Sequence, residues 1–267
     1  MKLAISGKGG VGKTTLAALL AQVYADAGRQ VLAVDADPSP CLAGALGFPP
    51  ELRQRLRPIA EMDALIEERT GAKPGTIGGF FTINPRVDDI PERFSVVYKG
   101  VRLLEMGSVD LGGSGCICPE AAMLKTLFTH LLFRPDDILI LDMYAGVEHL
   151  GRATVDFVDA MLIVVEPTRR SIGTANQIQK LASDIGLKHL WLVGNKVRNP
   201  DEARFLQENT PGIPVLGWLP ADLGVQEADR LGIPVYDHVP DLRRTAKQLA
   251  DHLAKQLTST QKESADV

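Results

Sequence analysis

Long apolar runs, cysteine and surplus basic charge are all scarce in this chain, and each scarcity excludes something. No apolar run approaches the ~18 residues that a membrane span requires. Gly7 and Lys8 end the first apolar stretch, Met1-Lys2-Leu3-Ala4-Ile5, too early for the core of a secretory signal. There are three cysteines, an odd number, in 267 residues. Thiols kept for chemistry in a reducing cytoplasm fit that count better than a disulfide framework. The formal net charge is −4, and the basic pairs Arg169-Arg170 and Arg243-Arg244 are short and scattered. Nucleic-acid binding by bulk charge is therefore disfavoured. The five histidines show no paired metal-ligand spacing. What remains, 45% hydrophobic and 23% charged residues, is the composition of a globular protein. A chain of this length buries roughly 75% of its unfolded surface and needs no disulfide or metal for its core.

Residues 1–257 read as one domain in which apolar runs alternate with helix-period segments. Lys2 to Ser6 is a short strand, and Leu16, Leu19, Leu20 and Val23 then mark one face of a helix. Val31–Val34 ends at Asp35, Ile138–Leu141 at Asp142, Met161–Val165 at Glu166 and Trp191–Val193 near Asn195. Near-continuous apolar strands of this kind predict a doubly wound α/β fold, mainly parallel, with helices on both faces. Their polar end residues then share one rim, where such sheets bind ligands. Residues 50–108 read as an insertion on that sheet: a charged helical stretch Glu51–Thr70, a loop, and β-like pieces at Phe80–Ile83 and Val101–Leu104. A glycine-rich loop at 107–119 carries Cys116-Ile117-Cys118-Pro119, and the polar composition of 258–267 predicts a disordered tail.

Gly7 to Thr15 fits G-x-x-x-x-G-K-[ST] between a strand and a helix, the context that confirms a phosphate-binding loop. Gly9, Gly10, Val11 and Gly12 would offer backbone N–H groups to phosphate oxygens, and the helix N-terminus at Thr14 and Thr15 adds its dipole. Lys13 would reach the β- and γ-phosphates of ATP or ADP, and the Thr14 hydroxyl would hold Mg²⁺. Asp142, delivered by an apolar strand, is the second expected magnesium ligand. Asp35 is a third, unless it or Asp37 caps the helix that follows. Lys8 is not demanded by the generic motif. Supplied to a partner's nucleotide, it could stabilise transition-state charge as an arginine finger does.

Cys116 and Cys118, two residues apart, would project to one side of an extended segment and could chelate a soft cation. Two ligands leave a tetrahedral site half complete, which a symmetric dimer would close. Buried structural thiols or a redox pair are the alternatives for a C-x-C. Cys41, before Leu42 and Leu46, reads as a small buried residue rather than a ligand.

Lys8-Gly-Gly-Val-Gly-Lys-Thr-Thr15 resembles the deviant Walker A loop of the MinD/ParA/nitrogenase-iron-protein class of ATPases. In that class the lysine at the position of Lys8 crosses a dimer interface, and the aspartate at the position of Asp37, before Pro38, orients the attacking water. Asp142 to Gly146 resembles its second switch, so Gly146 would contact the γ-phosphate. Asn195-Lys196 and Leu219-Pro220-Ala221-Asp222 match the two segments that grip adenine, with a cap or turn as the alternative for Asn195. Together with the Gly-Gly-Ser-Gly-Cys-Ile-Cys run and Asp142–Leu150, with His149 beside the second switch, the chain is similar to the CooC family from residue 1 to 257. That resemblance implies a homodimeric ATPase that assists nickel insertion into apo carbon monoxide dehydrogenase, with nickel or zinc held by Cys116 and Cys118 between protomers. A related client such as acetyl-CoA synthase stays open on sequence grounds, as does a MinD- or ParA-type spatial organiser. The latter lacks the basic amphipathic C-terminal helix or basic surface it would need.

Overall fold

The computed structural model describes residues 1–75, 80–107, 118–133, 138–144 and 158–265. The strands are β1 (Lys2–Gly7), β2 (Val31–Ala36), β3 (Val96–Tyr98), β4 (Val101–Glu105), β5 (Ile138–Met143), β6 (Ala160–Val165), β7 (Leu190–Val197) and β8 (Val215–Pro220). Among the described residues they form one sheet in the order β3-β4-β2-β5-β1-β6-β7-β8. Only the β3–β4 pairing is antiparallel. The apolar runs are its central strands, buried almost throughout.

The helices are α1 (Lys13–Asp26), α2 (Leu42–Ala45), α3 (Pro50–Arg53), α4 (Asp63–Thr70), α5 (Ile90–Phe94), α6 (Pro119–Phe133), α7 (Arg169–Ile185), α8 (Pro200–Asn209), α9 (Gly224–Leu231), α10 (Val235–His238) and α11 (Pro240–Ala265). Alternation along each strand divides the core in two. On one face Leu3, Ile5 and Ile140 join the cluster of Leu16 and Leu19 from α1 and Leu249 from α11. On the other, Ala4, Leu139 and Leu141 join Leu127 of α6 and Ile172 of α7. With both faces covered, the carboxyl ends of the strands are where polar groups can collect. The handover from strand to helix there is set by caps. Thr168 Oγ1 accepts from Ser171 N at 3.3 Å to open α7, and Asn199 Oδ1 accepts from Glu202 N at 2.9 Å to open α8.

The insertion differs in detail from its sequence reading. The charged stretch from Glu51 is broken into α3, a 3-10 turn at Ile59–Glu61 and α4. Phe80–Ile83 is not a strand, whereas Val101–Glu105 pairs with β2 in register Val31↔Val101. The tail expected from residue 258 is instead a continuation of α11 to Ala265. Its hydroxyls are accommodated by bonding back one turn, Thr258 Oγ1 to Ala254 O at 2.8 Å and Ser259 Oγ to Lys255 O at 2.9 Å.

Packing between β7 and β8 yields a stability prediction. A Cβ on Gly194 would lie 2.2 Å from Trp218 Cε3 and 2.6 Å from Cζ3. Gly194→Ala should therefore displace the indole and destabilise by ~1–3 kcal/mol, as overpacking does. Gly173, exposed in α7 with nothing within 4 Å of its would-be Cβ, provides the contrast. Gly173→Ala should stabilise by up to ~1 kcal/mol. Denaturant midpoints with tryptophan emission read both, and equal shifts for the two variants would contradict this packing.

Candidate functional site

The loop after β1 is shaped by close backbone approach. A Cβ on Gly7 would sit 2.4 Å from the Val164 carbonyl of β6, so the loop leaves the sheet in contact with its neighbour. Gly12 is left-handed at φ 97° and stands at the N-cap of α1. No side chain caps that helix and no acidic residue lies in its first turn. An uncapped N-terminus of this kind leaves backbone N–H donors and the positive dipole end for an anion. Lys13 is buried, with its ammonium donating to Lys8 O at 3.4 Å. Thr14 and Thr15 are half-buried in the first turn, Lys8 is half-buried, and Gly9 and Gly10 are exposed.

The end of β7 holds this loop from the side. Asn195 Nδ2 donates to Val11 O at 2.7 Å, and Asn195 Oδ1 accepts from Lys196 N at 2.9 Å. Lys196, at φ 58°, sends Nζ to Gly10 O at 2.7 Å and to Glu166 Oε2 at 2.9 Å. Two adjacent β7 side chains thus grip two adjacent loop carbonyls. Sequence reading assigned both residues to a base. Asn195, only 9% exposed, also holds the loop, which uses one of its two amide N–H donors and one lone pair of its oxygen. Its amide also explains why position 12 is glycine, since a Cβ there would lie 2.2 Å from Asn195 Nδ2. Glu166 was missed as a site residue. Its signal was its place at the end of β6, whose Val165 pairs with Gly194. Pro220 pairs with Val197, and Asp222 Oδ1 accepts from Gly224 N at 2.7 Å, so the two predicted base segments do lie side by side.

Across the rim, β4, β2 and β5 end in register on Glu105, Asp35 and Asp142. Asp35 is fully buried, and burial raises its pKa against the pull of its backbone donors. Oδ1 accepts from Asp37 N at 3.1 Å, while Oδ2 accepts from Cys41 N at 2.8 Å and Leu42 N at 2.9 Å. This is the capping alternative: Asp35 ties down the loop that enters α2. Asp37 is half-buried, with Oδ1 accepting from Ser39 N at 2.9 Å.

Asp142 behaves differently. Both carboxylate oxygens are buried, and the Thr14 hydroxyl acts on them without reaching a well-formed hydrogen bond. Burial pushes its pKa up to about 7, with the Thr14 hydroxyl and the Lys13 ammonium pulling down and Asp35 and Asp37 pushing up. A buried carboxylate left unpaired beside a hydroxyl and the phosphate loop is the donor set that a hard divalent cation fits. Cys41 corrects its sequence reading. It is exposed, and its Sγ donates to Thr14 Oγ1 at 3.6 Å, because the Asp35 cap turns Leu42 rather than Cys41 into the core.

Cys118 precedes α6 and is half-buried, its carbonyl accepting from Ala122 N at 3.0 Å. Cys116, Gly146 and His149 lie outside the described residues. Among the described residues, no three His, Cys, Asp or Glu side chains are grouped so as to hold a metal by themselves, and no helix is long and apolar enough to cross a membrane.

The acidic row carries a pH signature. Burial, then Asp35 and Glu61, push Glu105 from 4.5 to about 7. The folded chain then binds this proton more tightly than the unfolded chain, so stability falls as pH rises between those two values and levels off above them. Glu105→Gln should remove that part of the decline. Thermal unfolding of both proteins should show the variant gaining on the parent from about pH 4.5 to about pH 7. A pH-independent difference would contradict this.

Comparison with known proteins agrees with this geometry. Residues 2–235 match the model of the CobQ/CobB/MinD/ParA nucleotide binding domain. The chain is 44% identical over 261 residues to the carbon monoxide dehydrogenase accessory protein CooC of Rhodospirillum rubrum, covering 98% of this chain and 99% of that one. It is 45% identical over 237 residues to an uncharacterised ATP-binding protein of Methanocaldococcus jannaschii, covering 88% and 91%. Among solved structures, the septum site-determining protein MinD of Pyrococcus horikoshii, complexed with Mg-ADP, superposes with a TM-score of 0.64 at 22% identity. That match covers 95% of this chain and 96% of the other and shows a common fold. An uncapped glycine loop, a buried lysine, an unpaired strand-end carboxylate and these likenesses converge: the chain belongs to the CobQ/CobB/MinD/ParA family of nucleotide-binding ATPases and, within it, to the CooC family.

Proposed function

We propose that this chain is an accessory ATPase that assists nickel insertion into carbon monoxide dehydrogenase, acting as a nucleotide-dependent homodimer in the cytoplasm. The observation that carries the proposal is the 44% identity to CooC across 98% of the chain, a span that includes every motif of the phosphate loop and its rim. Nickel, or zinc in its place, is cargo in this reading, held by Cys116 and Cys118 of each protomer so that a dimer offers four thiolates.

The loop and α1 bind the phosphates through backbone N–H groups, and Lys13 leaves the Lys8 carbonyl to reach the β- and γ-phosphates. Thr14 and Asp142 would hold magnesium, which supplies positive charge to the phosphate oxygens when bound. Asp37 orients the attacking water, from a loop whose path is set by Asp35. Lys8 reaches the partner's nucleotide, which links the chemical step to dimerisation. Asn195 and Lys196 keep the loop in its binding shape, while Pro220 and Asp222 flank the base.

Nickel-free carbon monoxide dehydrogenase incubated with the chain, nickel and MgATP tests the proposal. Activation should require ATP and should fall to background with Lys13→Ala or with Cys116→Ser. Asp37→Ala should bind ATP yet hydrolyse it ~100-fold or more slowly, the usual cost of losing a group that acts on the attacking water. Equilibrium dialysis for the metal, alongside light scattering for the oligomer, should find one metal per two chains in the nucleotide-bound dimer. A chain that hydrolyses ATP but never activates the enzyme would refute the assigned client.

A further inference from the structure

Cys41 stands beside the two residues read as magnesium ligands, and nothing in the proposed cycle uses it. Its position is imposed. Asp35 Oδ2 accepts from the backbone N–H groups of Cys41 and Leu42, and buried Leu42 anchors the turn, so the sulfur is presented to α1. Sγ lies 3.6 Å from Thr14 Oγ1. Two donors on one divalent ion, at roughly 2.1 Å for oxygen and 2.3 Å for sulfur and at 90–110° to each other, are about 3.1–3.6 Å apart. A second, independent feature points to an ion at the same place: Asp142, 1% exposed, has neither oxygen in a well-formed hydrogen bond, and the group that acts on it there is the same Thr14 hydroxyl.

We infer that Cys41 is a soft ligand at the nucleotide's cation, giving this ATPase a nucleotide-dependent affinity for thiophilic divalent metals that an all-oxygen site lacks. The inference rests on the reading of Thr14 and Asp142 as that cation's ligands. Thiolate sulfur favours zinc, cobalt or cadmium over magnesium, while hydroxyl and carboxylate oxygens alone favour magnesium. The protein's own donors are too few to hold such an ion alone, so phosphate oxygens must complete the set. That requirement separates this site from the Cys116/Cys118 pair, whose four thiolates in a dimer fill the ion's shell with no phosphate oxygen among them. When sulfur binds the ion, its proton is released to solvent as the metal–sulfur bond forms.

The test uses the full chain with Cys116 and Cys118 both changed to Ser, which leaves Cys41 as the only thiol of three. Cadmium is titrated with and without ADP, reading thiolate-to-cadmium absorption in the ultraviolet, and magnesium·ADP binding is measured by calorimetry on the same protein. The expected result is one thiolate's absorption per chain that appears only with ADP and vanishes on adding Cys41→Ser. Cys41→Ser should also lower the ratio of cadmium·ADP to magnesium·ADP affinity roughly tenfold or more, the scale on which ligand changes act. Normal magnesium·ADP binding with no ADP-dependent absorption would overturn the inference and leave an ordinary S–H···O contact between Cys41 and Thr14. Absence of magnesium·ADP binding would overturn the underlying assignment of Thr14 and Asp142 as well.

Discussion

The grip of β7 on the phosphate loop is the interaction on which the rest of the site depends. A loop built from Gly7, Gly9, Gly10 and Gly12 has little side-chain material with which to hold its own shape, and glycine loses more conformational freedom on ordering than any other residue. Asn195 and Lys196 supply the missing restraint by fixing the carbonyls of Val11 and Gly10 at 2.7 Å each. Across a trans peptide, a carbonyl turned toward Asn195 turns the following N–H, that of Gly12, the other way. The loop's donors are thereby set before any phosphate arrives. Each such bond contributes ~1 kcal/mol net, more where a charged ammonium donates, and their value lies in lowering the ordering cost of binding.

The opposite side of the rim works by an unfavourable arrangement held in place by the fold. Glu105, Asp35 and Asp142 end three neighbouring strands in register, and the sheet forces their charges together. Asp35 escapes by accepting three backbone N–H bonds, and in doing so organises the Asp37–Leu42 turn. Asp142 has no such outlet. Buried polar groups are nearly always satisfied in folded proteins, so a buried carboxylate without a well-formed hydrogen bond, next to the phosphate loop, is where a cation would be accommodated. The same turn carries Asp37 and presents Cys41 to Thr14, so one capping carboxylate positions two chemically different groups.

Much of this was legible in the sequence because it is local. Apolar runs from Val31 and Ile138 could only be buried strands, and a strand–glycine loop–helix succession needs no distant partner to be recognised. What escaped depends on contacts between distant segments. Asn195 and Val11 are 184 positions apart, and no local pattern says that an amide near the end of β7 will find that carbonyl. The exposure of Cys41 follows from a cap offered six residues earlier, which reverses the expectation for a small apolar side chain. The helical end of α11 escaped a composition argument because Thr258 and Ser259, polar as they are, sit within a helix with their hydroxyls bonded back to it.

The central proposal is that Asn195 acts on phosphate through the loop. Binding of ADP and of inorganic pyrophosphate to the parent and to Asn195→Ala, measured by calorimetry, tests it most directly. The account predicts that both ligands lose affinity by a similar factor of about tenfold, the equivalent of ~1.4 kcal/mol. A loss confined to ADP, with pyrophosphate binding unchanged, would contradict it and return Asn195 to the adenine.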